Sequence, residues 1–171
     1  MILSKLNQRL LNILVIIAIA LMWVLLDAHV AIAQESTVNY TYSEIREQDF
    51  SHKDLAGGVF AAADARGSSC EGSDVSNSIL TKGIFINTNL KDSNFTSSLM
   101  DRVSFENSDL TNAIFKDAVA TSTIFEGATI TGADFTDAIL DRYQIYLMCQ
   151  RAEGTNPVTG VETRYSLGCR D

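Results

Sequence analysis

The chain has 171 residues, enough for one domain with a continuous core, and a formal net charge of −8. This acidic balance argues against a nucleic-acid-binding protein, because positive side chains are too few to neutralise phosphates along a groove. It suits a solvated protein or one that meets basic partners.

The first thirty-three residues have the three parts of a secretory signal peptide. Lys5 and Arg9 form a short basic start, residues 13–26 are uncharged and mostly aliphatic, and an Ala-x-Ala sequence ends at Ala33. Fourteen helical residues span about 21 Å, which is short of a hydrocarbon core of about 30 Å. We therefore expect cleavage before Gln34, with membrane contact only through the uncleaved signal peptide. A retained membrane anchor is the alternative.

A five-residue repeat runs from Gly58 to Arg142. Every fifth residue from Phe50 to Leu140, here called a repeat centre, is apolar. From Gly58 onwards, the residue two positions before each centre is no larger than valine. The eighteen charged residues between Gly58 and Arg142 avoid both positions. Because unpaired charge is costly in a dry interior, these two positions face inward and the other three face water.

This repeat resembles the motif of pentapeptide-repeat proteins, in which a small residue precedes Asp or Asn, then Leu or Phe, then two variable residues. Ala133-Asp134-Phe135, Ser108-Asp109-Leu110 and Thr88-Asn89-Leu90 match the motif directly. The resemblance implies an all-β fold, namely a right-handed quadrilateral β-helix. This solenoid has four repeats, or about twenty residues, in each coil.

Phenylalanine occupies every second repeat centre from residue 85 to residue 135. With twenty residues per coil, these rings stack as ladders on two opposite faces, and smaller centres occupy the other two. We expect large rings to face smaller groups across the narrow tube, which would fill the core to native density. The predicted core ladder consists of Phe85, Phe95, Phe105, Phe115, Phe125 and Phe135.

The two ends of a solenoid expose unpaired backbone, so we expect a cap at each end. Gln48 and Lys53 stand at the small inward position, which suggests that the repeat is irregular there. The predicted segments are a signal peptide at residues 1–33, an N-terminal cap and irregular first coil at 34–57, the solenoid at 58–142, and a C-terminal helical cap with a disulfide-tied tail at 143–171.

The C-terminal cap is predicted to be a short α-helix. Ile145, Met148, Cys149 and Ala152 fall at the spacing of one helical face. Laid over the last coil, this face would shield the open end of the core.

Segments 49–55 and 78–83 and the tail 154–169 are similar to the pentapeptide-repeat proteins of the thylakoid lumen in cyanobacteria and chloroplasts. The start of the chain lacks the Ser-rich and Arg-rich character of a plastid transit peptide, which favours a cyanobacterial source. The resemblance implies an exported protein of the thylakoid lumen or periplasm. It brings no assigned activity.

Three cysteines remain after cleavage. Cys149 lies on the apolar face of the predicted helix, and Cys169 follows after a turn-rich loop. A disulfide between them would tie the tail to the cap and contribute about 3 kcal/mol. Cys70 lies at a repeat centre about 17 Å from the end of the solenoid, whereas bridged Cα atoms lie within about 7 Å. We expect Cys70 to be a buried, inert residue, with a reactive thiol as the alternative.

The mature sequence has little material for catalysis. His52 is the one histidine beyond the signal peptide, so sites with several histidines are excluded. The Gly-rich stretch 154–160 lacks the Lys and Ser or Thr that complete a phosphate-binding loop. Outward carboxylates such as Asp101 and Glu106 are interpreted as solvated surface, with paired catalytic carboxylates or weak calcium binding as alternatives. We predict no enzyme, no cofactor and no metal site.

One outward position is aliphatic on a single side of the rod. The residue just before each centre, taken in steps of twenty, forms an apolar ladder flanked by polar and charged residues. Exposed apolar stripes of this size mark docking sites for another protein or a second copy. Two alternatives are that these residues simply favour strands, or that the chain's own ends cover them. The apolar ladder consists of Val59, Ile79, Leu99, Val119 and Ile139.

Together these features predict an exported, non-catalytic structural or protein-interaction module that presents a rigid acidic rod to a protein partner or to itself. The alternative is a DNA-mimic inhibitor of a DNA-binding enzyme such as gyrase, as in the pentapeptide-repeat proteins that inhibit DNA gyrase. Net charge and rod shape permit this second reading, whereas the signal peptide opposes it because gyrase is cytoplasmic.

Overall fold

The computed structural model describes residues 13–23 and 38–170, which belong to two separate compact units. Residues 13–23 form helix α1 of the first unit. Among the described helices, none has the length and apolar character needed to cross a membrane. The predicted cleavage site before Gln34 lies outside the described residues.

The second unit is a solenoid whose backbone repeats every twenty residues. Residues twenty positions apart pair in parallel, as Asn39 does with Val59 and Val59 with Ile79. Four such pairing positions occur in each coil, so every coil has four short sides. In two consecutive coils the same side is long enough to form strands, β1 (Val119–Ala120) and β2 (Ile139–Leu140), which pair in parallel.

A tight turn forms each corner between two sides. The N–H three residues after a repeat centre donates to the carbonyl of that centre, as from Ser43 to Tyr40 at 3.0 Å. The second residue after the centre has a positive φ at all twenty corners from Tyr42 to Asp137. Twelve of these positions hold Gly, Asn or Asp, which tolerate this conformation best.

Hydroxyl side chains at the small inward position, two residues before each centre, donate hydrogen bonds to buried backbone carbonyls. Ser98 Oγ, for example, donates to the carbonyl of Val75 in the preceding coil at 2.7 Å. This side chain points toward the preceding coil, so a long side chain has no room there and the buried hydroxyl has a partner. The same bond, to the centre twenty-three residues earlier, is made by Ser78, Thr88, Ser108 and Thr123.

The phenylalanine centres form two stacks inside the tube. Ring centroids in the stack of Phe95, Phe115 and Phe135 lie 5.1 and 4.9 Å apart. In the other stack, Phe105 lies 5.7 Å from Phe85 and 5.6 Å from Phe125.

The expectation that large rings face smaller groups is wrong. Phe105 meets Phe95 and Phe115 across the tube edge-to-face, at 5.9 and 6.0 Å. Centres ten residues apart lie on opposite sides of a four-sided coil, so rings at alternate centres must face each other. Edge-to-face contacts then supply the complementary packing that size alternation was expected to provide.

The solenoid begins one coil earlier than the expected start at Gly58. Asn39 and the three equivalent positions that follow already pair with the second coil. Gln48 and Lys53 are exposed, although they occupy the small inward position. Because this position points toward a preceding coil, which the first coil lacks, long side chains are tolerated there.

Two short helices follow the solenoid, α2 (Arg142–Cys149) and α3 (Thr163–Ser166). Helix α2 ends at Cys149, before Ala152, which is buried but lies outside the helix. The predicted helical face is therefore too long. The chain leaves the helix because its next residues contact the last coil, where the carbonyl of Glu153 accepts from the N–H of Gly132 at 2.8 Å.

Side chains of the C-terminal segment hydrogen-bond to the backbone of the last coil. The N–H of Phe125 donates to Gln144 Oε1 at 3.2 Å, and that of Phe135 donates to Ser166 Oγ at 3.0 Å. The guanidinium of Arg151 donates to the carbonyl of Ala128 at 3.1 Å. These bonds replace those that a further coil would make.

Substitutions at two neighbouring residues of one repeat should differ sharply in their effect on stability. We expect Phe105→Ala to lower the free energy of unfolding by about 3–5 kcal/mol, because the ring is fully buried and contacts four other rings. Glu106→Ala should cost less than about 0.5 kcal/mol, since this side chain is only partly covered and reaches solvent. Denaturant titration measures both, and equal midpoints would contradict the register.

Candidate functional site

The apolar ladder lies along one side of the solenoid, with consecutive members paired through their backbones. Ile79, Leu99 and Ile139 are 42%, 41% and 55% exposed, while Val59 and Val119 are half-buried. The described first coil and tail therefore leave these side chains open to solvent. The alternative in which the chain's own ends cover the ladder is thus wrong for the first coil and the tail, while its part that concerns the residues before Val38 lies outside the described residues.

A second apolar exposure lies on the neighbouring side and was missed from the sequence. Ile84 and Ile124 occupy the equivalent outward position there, with Ser104 between them. Ile124 is 39% exposed. Inspection of the outward position on all four sides would have found this pair, although Ser104 separates the two isoleucines and Asp64 precedes them.

Polar groups along one border of the ladder bond to each other. Asp101 pairs with Arg102 at 2.6 Å and accepts from Thr121 Oγ1 at 2.9 Å. The hydrogen bond from Thr121 and that from Arg102 lower the pKa of the Asp101 carboxyl. Asp141 Oδ2 accepts from the backbone N–H of Ser122 at 2.7 Å. These border groups thus already have partners within the protein, whereas the aliphatic side chains beside them have none of that kind and gain from apolar contact.

The first two coils are joined by an ion-pair cluster around Asp64. Arg46 and Arg66, one coil apart, contact the same carboxylate oxygen at 2.6 and 2.5 Å. Hydrogen bonds from Arg66 and then Arg46 hold the pKa of Asp64 well below its usual range. Because both guanidinium groups bind this carboxylate, the cluster fastens one coil to the next.

The structure pairs Cys149 with Cys169 in a disulfide whose Cα atoms lie 5.6 Å apart. Cys70 is a free cysteine buried in the core. Burial raises the pKa of its thiol to about 12, so the reactive thiolate is scarce at neutral pH. A small apolar cavity beside it is lined by Leu55, Phe60, Val75, Phe85, Leu90 and Phe95.

In the described part of the chain, no group of three or more His, Cys, Asp or Glu side chains is placed to hold a metal ion. His52 is exposed on a corner of the first coil, and Asp109 and Asp117 are exposed on the rod. His52, Asp109 and Asp117 do not belong to the apolar ladder.

The family model of pentapeptide repeats matches eight copies in this chain, at residues 59–96 and 98–137. The chain is a pentapeptide-repeat protein. This family forms right-handed quadrilateral β-helices, in agreement with the four-sided coils described above.

Solved structures with the same repeat resemble the chain to different degrees. A pentapeptide repeat protein from the thylakoid lumen of Arabidopsis thaliana is 29% identical over 74% of this chain and 92% of its own, with a TM-score of 0.52. QnrB1, a plasmid-mediated fluoroquinolone resistance protein, is 16% identical over 62% and 61%, with a TM-score of 0.46. Rfr23 from the cyanobacterium Cyanothece 51142 is 14% identical over 60% and 91%, with a TM-score of 0.34. No curated protein matches the sequence.

The cysteine arrangement predicts the outcome of thiol labelling. Alkylation of the native, non-reduced protein should label no cysteine, because Cys70 is buried and the other two form a disulfide. After denaturation without reductant, one thiol should be labelled. Mass spectrometry counts the labels, and two or three labelled thiols after denaturation would refute the pairing.

Proposed function

We propose that this protein is an exported, non-catalytic interaction module of the thylakoid lumen or periplasm, which presents a rigid acidic rod to a protein partner. The observation that carries the proposal is the exposed apolar ladder on a backbone that is hydrogen-bonded from coil to coil. Pentapeptide-repeat proteins are generally structural or interaction modules, which supports the non-catalytic part.

Rigidity favours the ladder as a docking surface. Its five side chains are spaced by the distance between stacked strands, about 4.8 Å, so they form a straight row roughly 20 Å long. Each aliphatic side chain that a partner covers contributes up to about 1.5–3 kcal/mol. Because the scaffold is already ordered, little entropy is lost in arranging the row on binding.

The C-terminal helix and tail serve as the cap of this scaffold. Gln144, Arg151 and Ser166 bond to backbone groups of the last coil. Asn156 is buried and donates from Nδ2 to the carbonyls of Asn112 and Gly132, each at 2.9 Å. The disulfide of Cys149 closes the tail onto helix α2, so the end of the core stays covered.

Export is supported by the signal-peptide pattern and by the likeness to a thylakoid-lumen protein. We expect the mature protein to begin at Gln34 and to lack Trp23, the single tryptophan. Intact-mass analysis of the exported pool checks the start, and the absence of tryptophan fluorescence checks it independently. Retention of residues 1–33 would contradict processing. An unexported protein that binds gyrase would instead favour the DNA-mimic alternative.

Charge on the ladder should abolish partner binding. We expect Leu99→Asp with Val119→Asp to leave circular dichroism unchanged, because both side chains point outward. The loss of apolar contact and the added charge beside Asp101 should release a partner captured from isolated lumen or periplasm. The measurement is co-purification with tagged mature protein, together with light scattering for self-association.

A matched control places the same charges at the same position of the repeat on other sides, through Ile84→Asp with Ile114→Asp. The control should keep the partner. A ladder variant that folds and keeps its partner would show that these residues are only strand formers. Loss of binding in both double variants would trace the effect to charge in general rather than to the ladder.

A further inference from the structure

The two ends of the solenoid differ in how their backbone groups are satisfied. In each later coil, four N–H groups and eight carbonyls point toward the preceding coil. On one side of the second coil, for example, Val59 donates to the carbonyl of Val38 at 2.8 Å. The carbonyls of Val59 and Ala61 accept from Tyr40 and Tyr42 at 2.7 and 2.9 Å. The same pattern recurs on the other three sides.

The corresponding groups of the first coil have no preceding coil. We call them the N-terminal edge. Among the described residues, one of these groups has a partner: the carbonyl of Asp49 accepts from Lys53 Nζ at 3.0 Å. The edge comprises the N–H and carbonyl of Asn39, Glu44, Asp49 and Asp54 and the carbonyls of Thr41, Arg46, Ser51 and Ala56.

This edge is rich in acceptors and negatively charged. It has eight carbonyls against four N–H groups. Glu44, Asp49 and Asp54, at three of its four pairing positions, carry exposed carboxylates. A plain backbone strand donates as often as it accepts, so it would leave edge carbonyls unpaired. Lysine and arginine side chains supply the missing donors together with the complementary charge.

The chain already shows this chemistry at both ends. Lys53 places its ammonium on an edge carbonyl of the first coil. At the opposite end, Arg151 donates to carbonyls of Phe125 and Ala128. That end is occupied by the chain's own C-terminal residues, whereas the N-terminal edge has only Lys53 among the described residues.

We propose that the N-terminal edge is a docking site for an extended, arginine- or lysine-rich segment of a protein partner. The segment adds as a strand along one side, and its cationic side chains bind the surplus carbonyls and the carboxylates. In the mature protein expected from cleavage before Gln34, residues 34–37 extend at most about 14 Å and so cannot cover all four sides. This site is independent of the apolar ladder.

The test uses the mature protein and two synthetic eight-residue probes, one alternating arginine with valine and the other alternating glutamate with valine. Backbone amides are followed by hydrogen exchange detected by NMR. The arginine probe should slow exchange at one or more of Asn39, Glu44, Asp49 and Asp54. The glutamate probe should not. Amides of Ser69 and Asn89, which are already bonded within the solenoid, should not respond.

Removing edge charge should weaken the arginine probe. We expect Glu44→Gln with Asp54→Asn to raise its Kd about five- to tenfold, since the probe loses two exposed ion pairs, each of which contributes modestly to binding. Asp54→Asn keeps the side-chain oxygen that accepts from the Ala56 N–H, so the local turn is preserved. Glu126→Gln with Asp109→Asn removes the same charge from the last two full coils, away from the edge, and should leave the Kd within about twofold.

Three outcomes would overturn the proposal. The first is a probe that slows none of the four edge amides. The second is an equal loss of affinity in the edge variant and in the Glu126 and Asp109 variant, which would mean that net charge alone attracts the probe. The third is a probe that binds the edge variant as tightly as the original protein. The Leu99→Asp and Val119→Asp variant should bind the probe normally, so failure of the ladder hypothesis remains distinguishable.

Discussion

Backbone pairing between residues twenty apart governs everything else in this protein. Each coil holds the next through hydrogen bonds on four sides, so any property that recurs every twenty residues becomes a straight column along the rod. The two phenylalanine stacks are such columns inside, and the apolar ladder is one outside. A shift of one residue in a repeat would move an inward side chain to the surface and break a column.

The same pairing makes the ends the weak points of the fold. An interior coil has neighbours on both sides, whereas each terminal coil leaves one set of backbone groups without a coil. The C-terminal end uses acceptors from the following segment, including Asp141 and Gln144, because its free groups are mainly N–H donors. The N-terminal end presents mainly carbonyls, and Lys53 is the one described side chain that binds them. The chemical polarity of the rod therefore follows directly from the direction of the chain.

The described part of the rod presents extended surfaces, and it also has an open groove at its C-terminal end, between helix α2 and the tail. The cavity beside Cys70 is small, apolar and lined by core side chains. The useful features are extended: an aliphatic row on one side and an acidic, acceptor-rich edge at one end. They differ in chemistry, since apolar contact is nearly independent of salt while attraction at the edge weakens as salt screens it.

The sequence by itself determined the family, the five-residue period and the inward register. Charge is excluded from two positions in every repeat, and this pattern is visible in the sequence without knowing which coils lie next to each other. It also identified the outward aliphatic position, since that position is defined by the same count. Only the tertiary structure decided that phenylalanine faces phenylalanine, because this depends on four sides closing into one coil. The regular first coil could not be read from Gln48 and Lys53, since the small position is restricted only where a preceding coil lies against it. The length of helix α2 and the way the C-terminal end is covered were likewise decided by contacts between the last coil and the tail. These contacts join residues far apart in the sequence, so no local pattern contains them.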